Sequence, residues 1–384
     1  MSPTTAPQTP AGPTVSGTIS YLTRIEFGEG RIAELPALLR QIGVTKPLIA
    51  TDRGLMATGM IDEVTSGRPA CAIYDGTPAN PTEAAVMEAF ARYKAEGCDG
   101  IVGIGGGSSL DLAKAVRILT GHPAPLDQYA AVNGGVARTH GNICPLIAVP
   151  TTSGTGSEVG RAAVIITAEG RKLGILSPHN LPTVALCDPA LTYGLPPMLT
   201  AATGMDAISH CLETYMAPAF NPPAEAIALH GLDCGLRAIE VATRDGRDAA
   251  ARRDMMTCAL EGAMAFQKGL GAVHALTHPL GAIRSLNLHH GTLNAVLMPA
   301  VLRFNRAAIG AKWEVLADRM GGDPAEQCAS LNARLGMPSG LAAMGVTEEM
   351  MADVSHAALK DHCHATNPRI ATQAEYLEIL QQSA

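Results

Sequence analysis

The sequence predicts two domains in series, an α/β half built on a mostly parallel sheet and an all-helical half. Three observations carry that reading. Between residues 18 and 196 short apolar runs alternate with helical patterns, as parallel strands joined by crossover helices do. From Leu199 onward β-branched runs thin out and Ala/Leu/Met-rich helical periodicity takes over. Between the two stands the pair Pro196–Pro197, which sets the predicted boundary between an 18–196 domain and a 197–384 domain. A chain of 384 residues is long enough for both.

Composition narrows the function before any motif does. Hydrophobic residues make up 47% and charged residues 16%, which predicts a large buried core and not general disorder. The net charge of −7 and the absence of basic runs argue against nucleic acid and anionic membrane surfaces as partners. No apolar run reaches the length of a membrane span. Residues 1–17 are Pro/Thr-rich, lack the charged start and apolar core of a secretory signal, and read as a flexible tail. Nine cysteines, odd in number and without paired spacing, read as the reduced thiols of a cytoplasmic protein.

In the first half, KPLIATD (Lys46–Asp52) reads as a strand ending in an acid, and PACAIYDG (Pro69–Gly76) as a second strand before the turn-forming TPANPT. Residues 82–97 carry helical periodicity. CDGIVGIGGGSSLDLAKAVRIL (Cys98–Leu119) is then strand, glycine loop and helix. Gly105, Gly106 and Gly107 let backbone amides approach a ligand, and Ser108 opens a helix whose positive end favours phosphate. That order is the context of a dinucleotide loop, hence of a Rossmann-like domain, although G-I-G-G-G-S departs from G-x-G-x-x-G. A structural glycine turn is the plainer alternative. Asp52 could bond a ribose 2′-hydroxyl and repel a 2′-phosphate; a simple turn residue is its plainer reading. NICPLIAVPTTSGTGSEVGRAAVIIT (Asn142–Thr167) reads as strand, Thr/Ser/Gly-rich loop and strand, with hydroxyls and amides able to hold phosphate or nicotinamide.

In the second half, Pro223–Thr243 and Asp248–Gln267 read as helices. The stretch GAVHALTHPLGAIRSLNLHHG (Gly271–Gly291) holds four of the chain's twelve histidines. His274 and His278 are four apart, so on a helix both project from one face. Pro279 is expected to end that helix, and an irregular segment leads to His289–His290. Upstream, GMDAISHCLETY (Gly204–Tyr215) offers Asp206 and His210 at the same spacing. One such pair alone reads as hydrogen-bonded core. Two pairs and a further histidine source suit a divalent metal such as Fe²⁺ or Zn²⁺.

Taken in order from about residue 20 to the end, GIGGGSSLDLAKA, PTTSGTGSEV, GMDAISH, HALTHPLGA, HHG and the terminal NPR resemble the iron-containing (group III) alcohol dehydrogenases. The resemblance implies a dehydroquinate-synthase-like two-domain architecture, with metal and substrate in the cleft between an N-terminal dinucleotide-binding domain and a C-terminal helical domain. It implies Asp206, His210, His274 and His290 as metal ligands and His278 as the catalytic histidine beside the substrate. Gly105, Gly106, Gly107 and Ser108 match the pyrophosphate loop, and Asn80, Thr151, Thr152 and Lys172 match further cofactor contacts. Asp52 matches the acid associated with NAD(H) over NADP(H). The implied reaction is hydride transfer between NAD(H) and a small alcohol or aldehyde, with Fe²⁺ as metal, Zn²⁺ as its alternative, and a homodimer or larger assembly.

There are departures from the family pattern. His278 and His290 are twelve residues apart where the family has ten, which puts a two-residue insertion between them; the glycine after His290 favours it over His289. Gly160, Arg161 and Ala162 stand where the family commonly has Thr and then a bulky residue. Ala162 and Cys363 are expected in the substrate pocket. Arg161 and Arg284 would suit an acidic aldehyde or hydroxy acid, surface arginines being the plainer reading. Two further enzyme readings are a maleylacetate-reductase-like enzyme, whose relatives often depart from the ligand set intact here, and a dehydroquinate-synthase-like lyase, which needs a Lys/Arg-rich pocket where residues 199–291 are poor in lysine. A non-enzymatic nucleotide sensor would have lost a ligand, and none is lost.

Overall fold

The computed structural model describes residues 19, 21, 23–66, 71–283 and 285–384. The expected tail (1–17), Pro69 and Ala70 of the second expected strand, and Arg284 lie outside the described residues.

In chain order the strands are β1 (Arg24–Phe27), β2 (Pro47–Ala50), β3 (Ala72–Tyr74), β4 (Gly100–Gly105), β5 (Leu146–Pro150), β6 (Ala162–Ile166), β7 (Lys172–Leu176) and β8 (Val184–Cys187). Six form one parallel sheet in the order β1-β8-β5-β4-β2-β3. The strand expected after the Thr/Ser/Gly-rich loop does form, but as half of a separate antiparallel hairpin, β6–β7. Helices α1 (Leu35–Gln41), α2 (Arg53–Ala57), α3 (Met60–Thr65), α4 (Glu83–Ala95) and α5 (Gly107–Gly121) accompany the sheet.

Strand β4 shows why the sheet sits between two apolar layers. Its residues are buried throughout. Ile101 packs into one layer with Leu48, Ala113 and Val116, and Val102 and Ile104 into the other with Leu35, Ile49, Ile147 and Val149. Burial on both faces is what makes such a strand read as an unbroken apolar run. From β2 the chain steps outward to β3, then returns past β2 to β4. The reversal puts a topological switch point between the carboxyl ends of β2 and β4, where open parallel sheets receive ligands. Asp52 follows the first of these ends and Gly105–Gly107 the second.

The second half consists of α6 (Pro197–Met216), α7 (Pro222–Arg244), α8 (Ala249–Ala265), α9 (Ala272–Gly281), α10 (His290–Ile309), α11 (Lys312–Met320), α12 (Pro324–Arg334), α13 (Glu348–Ala358) and α14 (Gln373–Gln382). Helix α6 starts with Pro197 at its first turn, where a missing N–H is harmless, and is buried on every side from Thr200 to Met216. Asn221, Asp248, Asp323 and Thr347 cap the helices that follow them, and Thr372 forms a capping box with Glu375. Two expectations are corrected. Pro279 does not end its helix: α9 runs on to Gly281, because a proline in the last turn removes a single backbone bond. Helix α5 opens at Gly107, one residue before Ser108. Among the described residues no helix is long and apolar enough to cross a membrane, and all nine cysteines are unpaired.

Candidate active site

Between the strand ends and the helical half lies a cleft of about 1540 Å³, larger than the usual small-ligand pocket of roughly 300–1,000 Å³. One wall is the glycine loop. Gly105 has φ +150°, and a Cβ there would stand 2.5 Å from Ser109 Oγ. A Cβ on Gly107 would stand 2.5 Å from Thr155 Cγ2, so the loop and the Thr/Ser/Gly-rich segment close on each other only because position 107 is glycine. The Thr151 amide donates to the Gly105 carbonyl at 3.0 Å. Thr151 and Thr152 therefore line the cleft beside Gly106. Gly106, Gly107 and Ser108, at a helix start that no side chain caps, line the same space, as an anion-binding helix terminus would.

The other residues expected on this wall are placed as follows. Ser108 donates its hydroxyl to the Ala79 carbonyl. Lys172 Nζ donates to Asn80 Oδ1 at 3.1 Å, which joins two residues 92 apart in sequence. Burial lowers the Lys172 ammonium from its ordinary range, against the pull of Asp111 and Asp206. Asp52 is a helix cap, as its plainer reading has it, and it also borders the cleft. Its Oδ1 accepts from the Leu55 amide at 2.9 Å and caps α2, while Oδ2 lies 3.4 Å from Ser109 Oγ on the cleft side.

The opposite wall comes from three helices. Helix α6 presents Asp206 and His210 on one face, α9 presents His274 and His278, and the first residue of α10 is His290. From Asp206 Oδ1, the Nε2 atoms of His210, His274 and His290 lie at 3.6, 3.8 and 3.7 Å. Ligand atoms about 2.0–2.2 Å from a tetrahedral ion stand roughly 3.4 Å apart, so a divalent ion fits with small adjustments. The set of one carboxylate and three imidazoles is also chemically apt for Fe²⁺ or Zn²⁺. His289, which the sequence ranks behind His290, is exposed, and its Nδ1 lies near Thr292 Oγ1.

The electrostatics match a cation site. Burial would raise Asp206, but the His210 charge, the hydrogen bond with His274 and the charges of His290 and His274 hold its carboxyl far below the usual range. Burial pushes His210 down to about 4 and His290 well below its ordinary value, so both are neutral near pH 7. His274 goes the other way: burial opposes, but hydrogen bonds and charges of Asp206 and Glu213 raise it to about 9. An arriving divalent ion would displace that proton.

Several residues at the site escaped sequence reasoning. Glu213, fully buried, takes His274 Nδ1–H at 2.5 Å on Oε2 and the Val273 amide at 2.7 Å on Oε1. Asn294 donates from Nδ2 to Asp206 Oδ1 at 2.7 Å and to Ser209 Oγ at 3.2 Å. Such outer groups fix the tautomer and aim of metal-ligating side chains. A helical-face signal existed for both. Glu213 is seven residues after Asp206 and three after His210, and Asn294 is four after His290. Asp361 also went unnoticed. Its Oδ2 accepts from His278 Nδ1 at 2.8 Å, and its carboxyl, which burial would raise, is held down at about 2 chiefly by the charge of His278. Buried Lys114 is a fourth, held by the Ser157, Gly160 and Ala162 carbonyls and by Asp111 under the cleft floor. Ala162 and Cys363 both line the cleft, Cys363 with Sγ 3.4 Å from His362 Nε2 and a thiol that burial raises far above its ordinary value.

A phosphate-ready loop facing a carboxylate–imidazole cluster across one cleft defines the class: dehydrogenases of two domains that pair a nicotinamide dinucleotide with a metal ion. Residues 23–189 match the family described as iron-containing alcohol dehydrogenase, and residues 200–384 match its C-terminal region. The chain belongs to the iron-containing alcohol dehydrogenase family and is an oxidoreductase that moves hydride between NAD(H) and an alcohol or aldehyde. It is 52% identical to the 4-hydroxybutyrate dehydrogenase of Cupriavidus necator over 95% of this chain and 99% of that one. The crystal structure of a 1,3-propanediol oxidoreductase superposes with a TM-score of 0.90 at 34% identity, over 96% of this chain and all (100%) of that one. The sulfoacetaldehyde reductase of Bifidobacterium kashiwanohense, solved in complex with NAD+, superposes at 0.88 with 26% identity, over 96% of this chain and 98% of that one.

Proposed function

We propose that this chain is a metal-dependent, NAD(H)-preferring dehydrogenase of a hydroxy acid whose alcohol and carboxylate lie at opposite ends. The observation that carries the catalytic part is the convergence of three imidazole Nε2 atoms on one Asp206 oxygen at the base of a dinucleotide-sized cleft. The substrate class is supported by the 52% identity to a 4-hydroxybutyrate dehydrogenase. In this reading Asp206, His210, His274 and His290 hold one divalent ion, Fe²⁺ in first place and Zn²⁺ as the alternative. Gly105, Gly106, Gly107, Ser108, Thr151, Thr152, Asn80, Lys172 and Asp52 receive the cofactor, and Ala162 and Cys363 border the substrate. Residues 18–196 serve as the nucleotide domain and 197–384 as the metal domain. A cytoplasmic homodimer or larger assembly accompanies this reading, the location supported by the acidic charge and the unpaired thiols and the assembly by the family resemblance.

When bound, the metal supplies Lewis acidity to the reacting oxygen and the nicotinamide supplies or takes the hydride. The protein's own groups handle the proton. Asp361, ionised across the physiological range, accepts from His278 Nδ1–H and thereby leaves Nε2 as the site where a proton arrives or departs. The glycine loop and the start of α5 would hold the phosphates, and the cleft between the two walls would limit how cofactor and substrate can approach each other.

The test is NADH and NADPH oxidation by chelator-stripped protein, with and without anaerobic Fe²⁺ or Zn²⁺. The aldehydes are the four-carbon semialdehyde acid and neutral aldehydes of similar length. Metal-restored turnover that prefers NADH and the acid is expected. Equal turnover without metal would sink the ligand assignment, and silence toward the acid the substrate class. Asp52→Asn isolates the cofactor preference, because asparagine still caps α2 but removes the charge facing a 2′-phosphate. Its NADPH-to-NADH ratio of kcat/KM should rise about tenfold or more, with folding unchanged by circular dichroism.

A further inference from the structure

We infer that Arg161 forms a carboxylate-binding subsite at the substrate end of the cleft, so that the enzyme grips its substrate by two ends. The inference rests on the hydroxy-acid reading above and adds the group that would recognise the acid.

Five Lys or Arg residues among the described residues line the cleft: Arg53, Lys114, Arg161, Lys172 and Lys268. Three are already committed. Lys114 is buried among the Ser157, Gly160 and Ala162 carbonyls and Asp111. Lys172 is tied to Asn80. Lys268 is buried against the Thr214, Tyr215 and Ala217 carbonyls and Glu225. Arg53 follows Asp52 at the end of β2, on the nucleotide side of the glycine loop. Arg161 remains, exposed on the cleft, with no side-chain hydrogen bond or ion pair to any of the described residues.

Its backbone is fixed. The Arg161 carbonyl accepts from the Ser177 amide at 3.2 Å, and Lys114 holds the carbonyls on both sides of it, at Gly160 and Ala162. Its position is also right. A Cβ on the preceding Gly160 would lie 3.4 Å from the Phe266 ring, and that ring meets the edge of His210 with centroids 5.4 Å apart. Arg161 therefore emerges one residue and one ring away from the imidazole cluster. A short chain carrying its reacting oxygen at the cluster would bring its far end into reach of the guanidinium. A planar carboxylate is the group that a free guanidinium fork holds bidentately. Lys114, buried below, anchors the segment and adds positive potential.

The experiment uses the metal-loaded enzyme and two substrates of equal length, the four-carbon semialdehyde acid and butanal. The ratio of kcat/KM for acid over butanal should fall about 10- to 100-fold in Arg161→Ala, chiefly through KM for the acid, and recover in part in Arg161→Lys, which keeps the charge but not the fork. Butyrate, which has the carboxylate and no reacting group, provides a binding readout independent of turnover. Its inhibition constant against butanal, or its protection against thermal unfolding, should weaken at least tenfold in Arg161→Ala. An unchanged ratio and unchanged butyrate binding would overturn the subsite while leaving the hydroxy-acid reading intact. Wild-type turnover of butanal with no use of the acid would instead sink the substrate class, and the subsite with it.

Discussion

Replacing His274 by alanine should strip the protein of its metal and its turnover together. Metal content measured by elemental analysis is expected to fall from about one ion per chain to under roughly a tenth. Turnover should drop by three orders of magnitude or more, since Lewis-acid stabilisation supplies several kcal/mol of a barrier in which each 1.36 kcal/mol is about tenfold. The reason for choosing His274 over the other proposed ligands is its setting. It is fully buried, it faces Asp206 with Nε2, and it gives Nδ1–H to Glu213. A second consequence separates metal loss from collapse. In metal-stripped protein His274, raised to about 9, is the cation that neutralises Asp206 and Glu213. Deleting it leaves two buried carboxylates without their shared partner, a loss of about 3–5 kcal/mol by the behaviour of broken buried pairs. Urea unfolding of both stripped proteins would read this directly. Full turnover in a metal-free His274→Ala protein would end the proposal that this cluster is the catalytic centre.

Glu213→Gln should be nearly as damaging although it removes no ligand. The side chain keeps its shape, so Oε1 can still accept from the Val273 amide, the contact that orders the start of α9. The remaining amide NH₂ then faces His274 Nδ1 and donates where a carboxylate had accepted. The imidazole must place its proton on Nε2, the nitrogen turned toward Asp206, and that nitrogen no longer has a lone pair for a metal. Metal affinity is expected to fall by about 10- to 100-fold, measured by competition with a chromogenic chelator. Excess metal should restore part of the turnover. Wild-type affinity in the glutamine variant would mean that Glu213 serves the fold alone.

Much of the architecture was legible because its causes are local. The apolar run of β4 is local, and so is the loss of β-branched runs after Leu199. So is the four-residue spacing that puts Asp206 and His210, or His274 and His278, on one helical face. The β6 strand was legible as a strand but not as a hairpin outside the main sheet, since only its pairing with Lys172–Leu176 decides that. The end of α9 is not legible from Pro279, because a proline in a last turn removes too little to stop a helix whose apolar face is already packed.

The site divides along the same line. The residue types alone determined that a carboxylate and imidazoles were present in numbers suited to a divalent metal, and that a glycine loop between strand and helix was suited to phosphate. The tertiary structure decided which of them meet. It turned His290 and not His289 toward Asp206, brought Glu213 to His274 across 61 residues and Asp361 to His278 across 83, and left Arg161 on the cleft with no ion partner among the described residues. Helical period and turn chemistry are set by each residue's own backbone and its neighbours a turn away. The approach of side chains far apart in sequence depends on how whole helices pack, through many small contacts that no short stretch of sequence contains.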